Sequence, residues 1–414
     1  MKKIITILLI VVMAVACCFA LTACNKGVSK DEIKVGFIFL HGDYSSYDAN
    51  FINAAKDVKQ KLGLRDDQVI MMTDIDESEA CTTAAESLVA QGCNIIFADS
   101  FNHESFLLPV AEKYPNVQFC HATGTMAHTE GLANFHNAFA SIYEGRFLAG
   151  IAAGLKLYEL NEAEANKSYK LGYVGAYPFA EVVSGYTSYF LGAKYALNQK
   201  SAGLGEQLTM DVTFTNSWFD PDAEYTAAAA LISRGCKVLS GHADSEGVPN
   251  ACQENNIPNV FYNGTHEKAV YLCSSRINWA PYFEYMINQV IEGKDILTDY
   301  TGTLENGSVE VLALGTSAAE GTKAMIDDAK QKLIEKKIRV FDTATFKVNG
   351  ANITTFQADV DSDNKYTPDT EVVKTADGIT YVAESEFRSA PYFTLEIDGI
   401  NNKIVVDYGK KDED

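Results

Sequence analysis

The body of the chain opens with a near-continuous apolar run, Lys34 to Leu40, the pattern of a strand buried on both faces of a parallel sheet. The period then changes to that of a helix. Phe51, Ile52, Ala55, Val58 and Leu62 fall on one face, with Asp48 as a candidate cap at the start and Gly63 as a stop at the end. The alternation continues with a strand near Val69 to Thr73, a helix from Ser78 to Gln91 and a strand from Asn94 to Ala98. A helix around Ser105 to Lys113 and a strand from Val117 to His121 come next. Repeated β-α units predict a doubly wound α/β lobe.

The pattern then repeats itself. TAAESLVAQGC at 83–93 returns as TAAAALISRGC at 226–236, an offset of 143 residues (226 − 83 = 143). Pro115-Asn116-Val117 returns as Pro258-Asn259-Val260 at the same offset, and KVGFIF at Lys34 is echoed by KLGYVG at Lys170. Solenoid repeats run to roughly 20–50 residues, so the duplicated unit is a whole α/β lobe. Two similar lobes imply a cleft between them. A helix rich in small residues, Ile142 to Leu157, bridges to the second lobe, and its Gly and Ala content suits close packing. A helix from Pro281 to Ile291 and the glycine-punctuated stretch Tyr300 to Leu314 are expected to cross back and complete both sheets. Ala318 to Lys337 reads as a last surface helix. The resulting boundaries are 33–140 plus about 266–298 for the first lobe and 141–265 plus about 299–340 for the second, with a β-rich extension at 341–414.

The N-terminus changes the compartment. Lys2 and Lys3 precede an apolar run from Ile4 to Ala20 and then Leu21-Thr22-Ala23-Cys24, which reads as a secretory signal (1–23) cut ahead of a cysteine. The tetrad resembles a bacterial lipobox, so Cys24 is the expected lipidation site, 24–32 a tether, and the cell membrane the anchor. The remaining cysteines, Cys81, Cys93, Cys120, Cys236, Cys252 and Cys273, show no CxxC spacing and read as free core thiols. A net charge of −21 repels nucleic acid and makes it an unsuitable partner.

Ligands of open parallel sheets sit beyond the carboxyl ends of the strands. That rule selects the loops starting at His41, Ala98, His121, Ala176, Asn216, Gly241 and Tyr262, which are rich in aromatics, hydroxyls and acids and hold a single cation, Lys268. An anionic ligand would be repelled; a neutral, hydroxylated, partly flat one fits. Paired acceptors suit the hydroxyls of such a ligand, which makes Asp244 with Ser245 the first candidate and Asn263 the next. Asp43, Ser100, Phe101, Glu181 and Trp279 are secondary candidates, each equally readable as a cap, hinge or packing residue. His121, His136 and His242 read as hydrogen-bonded structural histidines.

KVGFIF followed by DYSSYDANF, IIFADSF, PNVQFCHATG, YEGRFLAGIAAG, KLGYVGAYPFAEV, NSWFDP, GHADS and INWAPYF, in this order behind a lipobox, resembles the basic membrane protein family of substrate-binding lipoproteins over roughly residues 33–345. ESEFRSAPYF resembles the ending of some members. The resemblance implies a type I periplasmic-binding-protein fold with three hinge crossovers. It also implies a purine nucleoside as ligand, and a permease with a separate ATPase as partners. In that family one aromatic after the first strand and another in the second lobe sandwich the base, positions that fall on Tyr47 and Trp218. Many relatives carry an aspartate at the position of Asn263, so the hydrogen bonding of the ribose is expected to differ.

Catalytic patterns such as GxSxG, HExxH and GxxxxGK[ST] are absent from the chain, so a monomeric, extracytoplasmic binding protein without cofactor or metal is expected, not an enzyme. Asp359 to Asn364 opens like a calcium loop, but its twelfth position is Thr370, and a plain Asp/Asn turn is favoured. A sugar or small-polyol receptor of similar fold is the alternative function.

Overall fold

The computed structural model describes residues 27–408 apart from 163, 361–364 and 366. The expected leader, Cys24 and most of the Asp359–Asn364 string lie outside the described residues.

The first lobe is laid down as β1 (Val35–Ile38), α1 (Ser46–Leu62), β2 (Val69–Met72), α2 (Glu79–Ala90), β3 (Ile95–Ala98), α3 (His103–Lys113), β4 (Gln118–Ala122), the short α4 (Ala127–Glu130) and β5 (Phe135–Ala140). The chain crosses through α5 (Ile142–Glu162) into the second lobe. That lobe runs β6 (Lys170–Gly175), α6 (Ala180–Lys200), β7 (Thr209–Phe214), α7 (Pro221–Ser233), β8 (Val238–His242), α8 (Gly247–Glu254), β9 (Asn259–Tyr262) and β10 (Tyr271–Ile277). It returns through α9 (Ala280–Glu292) to β11 (Asp299–Gly302), and crosses again to β12 (Val309–Val311) and α10 (Thr322–Ile334).

The sheets have the orders β11-β5-β4-β3-β1-β2 and β12-β10-β9-β8-β6-β7, with one further strand beyond β7. Every pairing in the two sheets is parallel except β10 with β12. The shared order of the first five strands is the structural form of the sequence repeat. It also corrects the expected lobe boundaries. The run Tyr271–Ile277 stays in the second sheet as the counterpart of β5, so the return crossing falls at Asn278, whereas Asp299–Gly302 joins the first sheet beside β5. The three crossovers are tied to one another by Ser141 N donating to Gly302 O (2.8 Å) and Asn278 N to Ser308 O (2.8 Å).

Local chemistry sets the element ends. Ser45, not Asp48, caps α1: its extended backbone lets Oγ accept from Asp48 N at 3.2 Å, while Asp48 Oδ2 accepts from Ser45 Oγ at 2.6 Å. Gly63 ends the helix in the left-handed conformation at φ 63°, which costs glycine little. Helices α5 and α6 touch backbone to backbone. A Cβ on Gly192 would lie 1.9 Å from Phe147 O, and one on Gly150 2.1 Å from Tyr189 O.

Among the described residues beyond Val340 the regular structure is β13 (Gln357–Ala358) with β14 (Thr370–Glu371), β15 (Val373–Ala376) with β16 (Ile379–Val382), and β17 (Ile400–Asn401), which extends the second sheet beside β7. Among its described residues the extension forms no separate core. Phe341 stacks on Phe393 at 4.2 Å and meets Tyr143 of α5 at 5.2 Å, and Phe346, Val382 and Ile397 join the main core. The six cysteines at 81, 93, 120, 236, 252 and 273 are buried and unpaired.

Candidate functional site in the cleft between the lobes

Because all the early strands of each sheet run parallel, their carboxyl ends converge on the cleft. Leu40 follows β1, Ser100 and Phe101 follow β3, and Thr123 follows β4; Tyr47 reaches in from the first turn of α1. From the second lobe come Glu181 in the first turn of α6, Trp218 after β7, His242 at the end of β8 with Asp244 beyond it, and Tyr262 at the end of β9. Together they line a cavity whose interior, about 20 Å³ open to a water-sized sphere, holds little more than a water molecule, so a larger ligand fits only once the lobes move apart.

The lobes are shut on it. Ser46 N, at the start of α1, donates to Asp244 O at 3.1 Å, and Asn50 Nδ2 donates to Ile277 O. Rings meet across the mouth: Phe219 of the second lobe lies 5.5 Å from His41 and 5.7 Å from Tyr44, and Phe101 lies 5.6 Å from Phe179. Entry of a ligand therefore requires the lobes to part.

The aromatic side chains are held from behind. Tyr47 donates its hydroxyl to Asp99 O at 2.8 Å, and Trp218 packs edge-on to Tyr177 at 5.3 Å. Behind Tyr262 lies Arg146 of α5, fully buried, its guanidinium carbon 3.4 Å from the ring centroid and Nη1 donating to Gly241 O at 3.2 Å. A guanidinium over an aromatic face is attracted by the ring quadrupole. The cation thus sits in the wall, not on the surface a ligand would meet.

Burial dominates the electrostatics. It holds the Asp244 carboxyl well above the usual carboxylate range, and Asp48, Glu224 and Glu181 add to the shift. It also raises the Tyr47 phenol, helped by Glu181, Asp99 and Asp244. Burial and then Arg146 press His242 down to about 4 against the pull of Glu181, so the ring is neutral at pH 7. A neutral imidazole that donates from Nε2 to Glu181 Oε1 (3.2 Å) and accepts Tyr173 OH at Nδ1 (3.4 Å) satisfies both contacts. The carboxyl groups of Glu181 and Asp244 face the cavity, with no Lys or Arg in its lining.

Of the residues singled out in the sequence, Tyr47, Trp218, Asp244, Ser100, Phe101 and Glu181 come together in this cavity. The others lie elsewhere. Ser245 turns its hydroxyl to Gly247 N (3.1 Å) at the start of α8. Asn263 sits behind the lining at φ 60°, its backbone N–H donating to Ser275 O. Asp43 is exposed on its loop, and Trp279 is a core residue, 2% exposed and stacked on Phe51 at 4.4 Å. The apolar setting of Trp279 within INWAPYF suits burial of so large a ring. Ser100 is oriented from outside, donating to Glu77 Oε1 at 2.6 Å while its carbonyl meets His121 Nε2 at 2.7 Å. His136, bound to Leu297 O and Gln118, is structural. Sequence reasoning passed over Leu40, Thr123 and Tyr262 and gave His242 a structural role. All but Leu40 lie in the strand-end loops that the parallel-sheet rule selected.

Comparison with known proteins agrees with this geometry. A family model described as ABC transporter substrate-binding protein PnrA-like matches residues 33–343. A purine-binding protein of Brucella abortus is 24% identical over 330 residues, 78% of this chain and 87% of that one. A putative ABC transporter glucose-binding protein of Haloferax volcanii is 27% identical over 262 residues, 62% of each chain. A solved ABC transporter solute-binding protein of Aeropyrum pernix superposes with a TM-score of 0.62 at 18% identity, over 75% of this chain and 93% of that one. Its likeness carries the fold, the two-lobed type I periplasmic-binding-protein arrangement. With the family match spanning both lobes and all three crossovers, the chain belongs to the Bmp family of PnrA-like substrate-binding proteins of ABC transporters, which carry a ligand and do not transform it.

Proposed function

We propose that this substrate-binding protein takes a nucleoside, a purine nucleoside first, in the cleft and delivers it to its permease as a monomer anchored outside the cell membrane through lipid on Cys24. The observation that carries the reading is the lining itself: rings from both lobes, Tyr47 and Trp218 among them, around two carboxyl groups, with no Lys or Arg. Aromatic faces suit a flat base, and the Asp244 and Glu181 carboxyls accept from hydroxyls and N–H groups. The purine-binding relative in Brucella abortus supports the same chemistry.

A sugar is the second reading, favoured by the relative described as glucose-binding and by the pairing of carboxylates with rings. Calorimetry with nucleosides, free bases, nucleoside monophosphates, pentoses and glucose separates the two. Nucleosides should bind, and their monophosphates more than about tenfold more weakly, or about 1.4 kcal/mol, because the lining is acidic. Glucose binding without nucleoside binding would overturn the proposal.

A further inference from the structure

The family match ends at residue 343, and the chain beyond that point reaches both lobes at the hinge. Glu384 belongs to the second lobe's side: its carbonyl accepts from Tyr143 OH of α5 at 3.2 Å, and its buried carboxyl meets Ser184 of α6 as well as Tyr392 N of the extension, at 3.4 Å. The next residue turns to the first lobe, where Thr301 Oγ1 of β11 donates to Ser385 O at 3.2 Å. Ser389 N then donates to Asp299 Oδ2 of the same strand at 2.9 Å, a carboxylate also met by His128 at 3.3 Å. β11 forms one edge of the first sheet and leads directly into the third crossover.

Two further features show that this segment is held in a defined shape. Ser385 has φ 61°, a left-handed conformation that a serine keeps only where its surroundings enforce it. Arg388 donates to the carbonyls of Asp359, Ala390 and Pro391 at 2.9, 3.3 and 3.3 Å, closing the loop on itself. Downstream, the described residues are fastened to the second lobe through β17 beside β7 and through Tyr408 OH donating to Phe214 O at 2.8 Å.

We propose that residues 384–389 are a fourth, non-covalent connection of the hinge, a brace that favours the closed arrangement of the lobes before any ligand arrives. The covalent crossovers set the axis of opening. The brace adds hydrogen bonds that opening must break, and losing two of them shifts the closed-to-open ratio by about tenfold.

The test needs no ligand. Spin labels at Lys56→Cys on α1 and Lys323→Cys on α10 report the distance between lobes in the full chain. Thr301→Val with Asp299→Ala should add or enlarge a longer-distance population. Asp299→Asn, which keeps an acceptor for Ser389 N, should stay close to the wild type. Should the double variant fail to fold, Thr301→Val alone serves, with a smaller shift in the same direction. Unchanged distances in a variant that melts cooperatively would overturn the brace, as would equal opening in Asp299→Asn and Asp299→Ala.

Discussion

Trp218 and Tyr47 enter the cleft from opposite lobes, each held by a partner that leaves it part of the lining. Stacking a base on an aromatic contributes roughly 1–3 kcal/mol, so Trp218→Ala and Tyr47→Ala should each weaken nucleoside binding about ten- to hundredfold, while Trp218→Phe keeps most of the affinity. Calorimetric titration checks this; for the wild type and Tyr47→Ala tryptophan emission serves as well, because Trp279 is buried in the core and Trp218 is the other tryptophan of the chain. Wild-type affinity in Trp218→Ala would remove the base from that ring. Glu384 carries a different expectation. Burial pushes its carboxyl from 4.5 up to about 7, so the folded protein keeps the proton at pH values where the unfolded chain has lost it. The stability it contributes is complete below about 4.5 and is lost as pH rises through about 7. Melting curves between about pH 5 and 8 should therefore fall less steeply for Glu384→Gln than for the wild type; parallel curves would argue against a buried proton there.

Helices α5 and α6 are the elements whose contact is set by absent side chains. The Ala and Gly run in YEGRFLAGIAAG predicts close packing, and the structure supplies the partner, α6, against whose backbone Gly150 lies; Gly192 meets α5 in return. Neither neighbouring carbonyl can move without bending its helix, so Gly192→Ala should destabilise the fold by about 1–3 kcal/mol, read from the urea midpoint. Gly203, in a left-handed turn with open space around its missing Cβ, gives a control of another kind: Gly203→Ala should cost backbone strain but create no clash. Equal tolerance at both sites would mean that the helices sit further apart. The cap of α1 shows the limit of reading elements from sequence. Ser45 and Asp48 are both cap-forming types, and only the backbone turn at Ser45 decides which of them accepts from the first N–H groups.

At the scale of the molecule, two lobes on three crossovers should close about a ligand, and solution scattering should give a smaller radius of gyration with saturating ligand. The decrease should be larger in the variant with Thr301→Val and Asp299→Ala, where the free protein opens further; an unchanged profile in that variant despite measured binding would leave the hinge without a role. The sequence by itself determined the two-lobed α/β plan, because buried parallel strands need unbroken apolar runs and the duplication at an offset of 143 residues repeats both those runs and their turns. It also located the cleft loops, since a parallel sheet delivers every strand's carboxyl end to one side. Tertiary structure alone decided which lobe receives Tyr271–Ile277 and Asp299–Gly302, because a short apolar strand carries no mark of the sheet it will join. Tertiary structure likewise sent Trp279 to the core and Tyr262 to the cavity, seated Arg146 behind that ring, and laid residues 384–389 across the hinge. Those outcomes depend on contacts between residues as much as 241 positions apart, as between Tyr143 and Glu384, and no local pattern of apolar and polar residues encodes a partner at that distance.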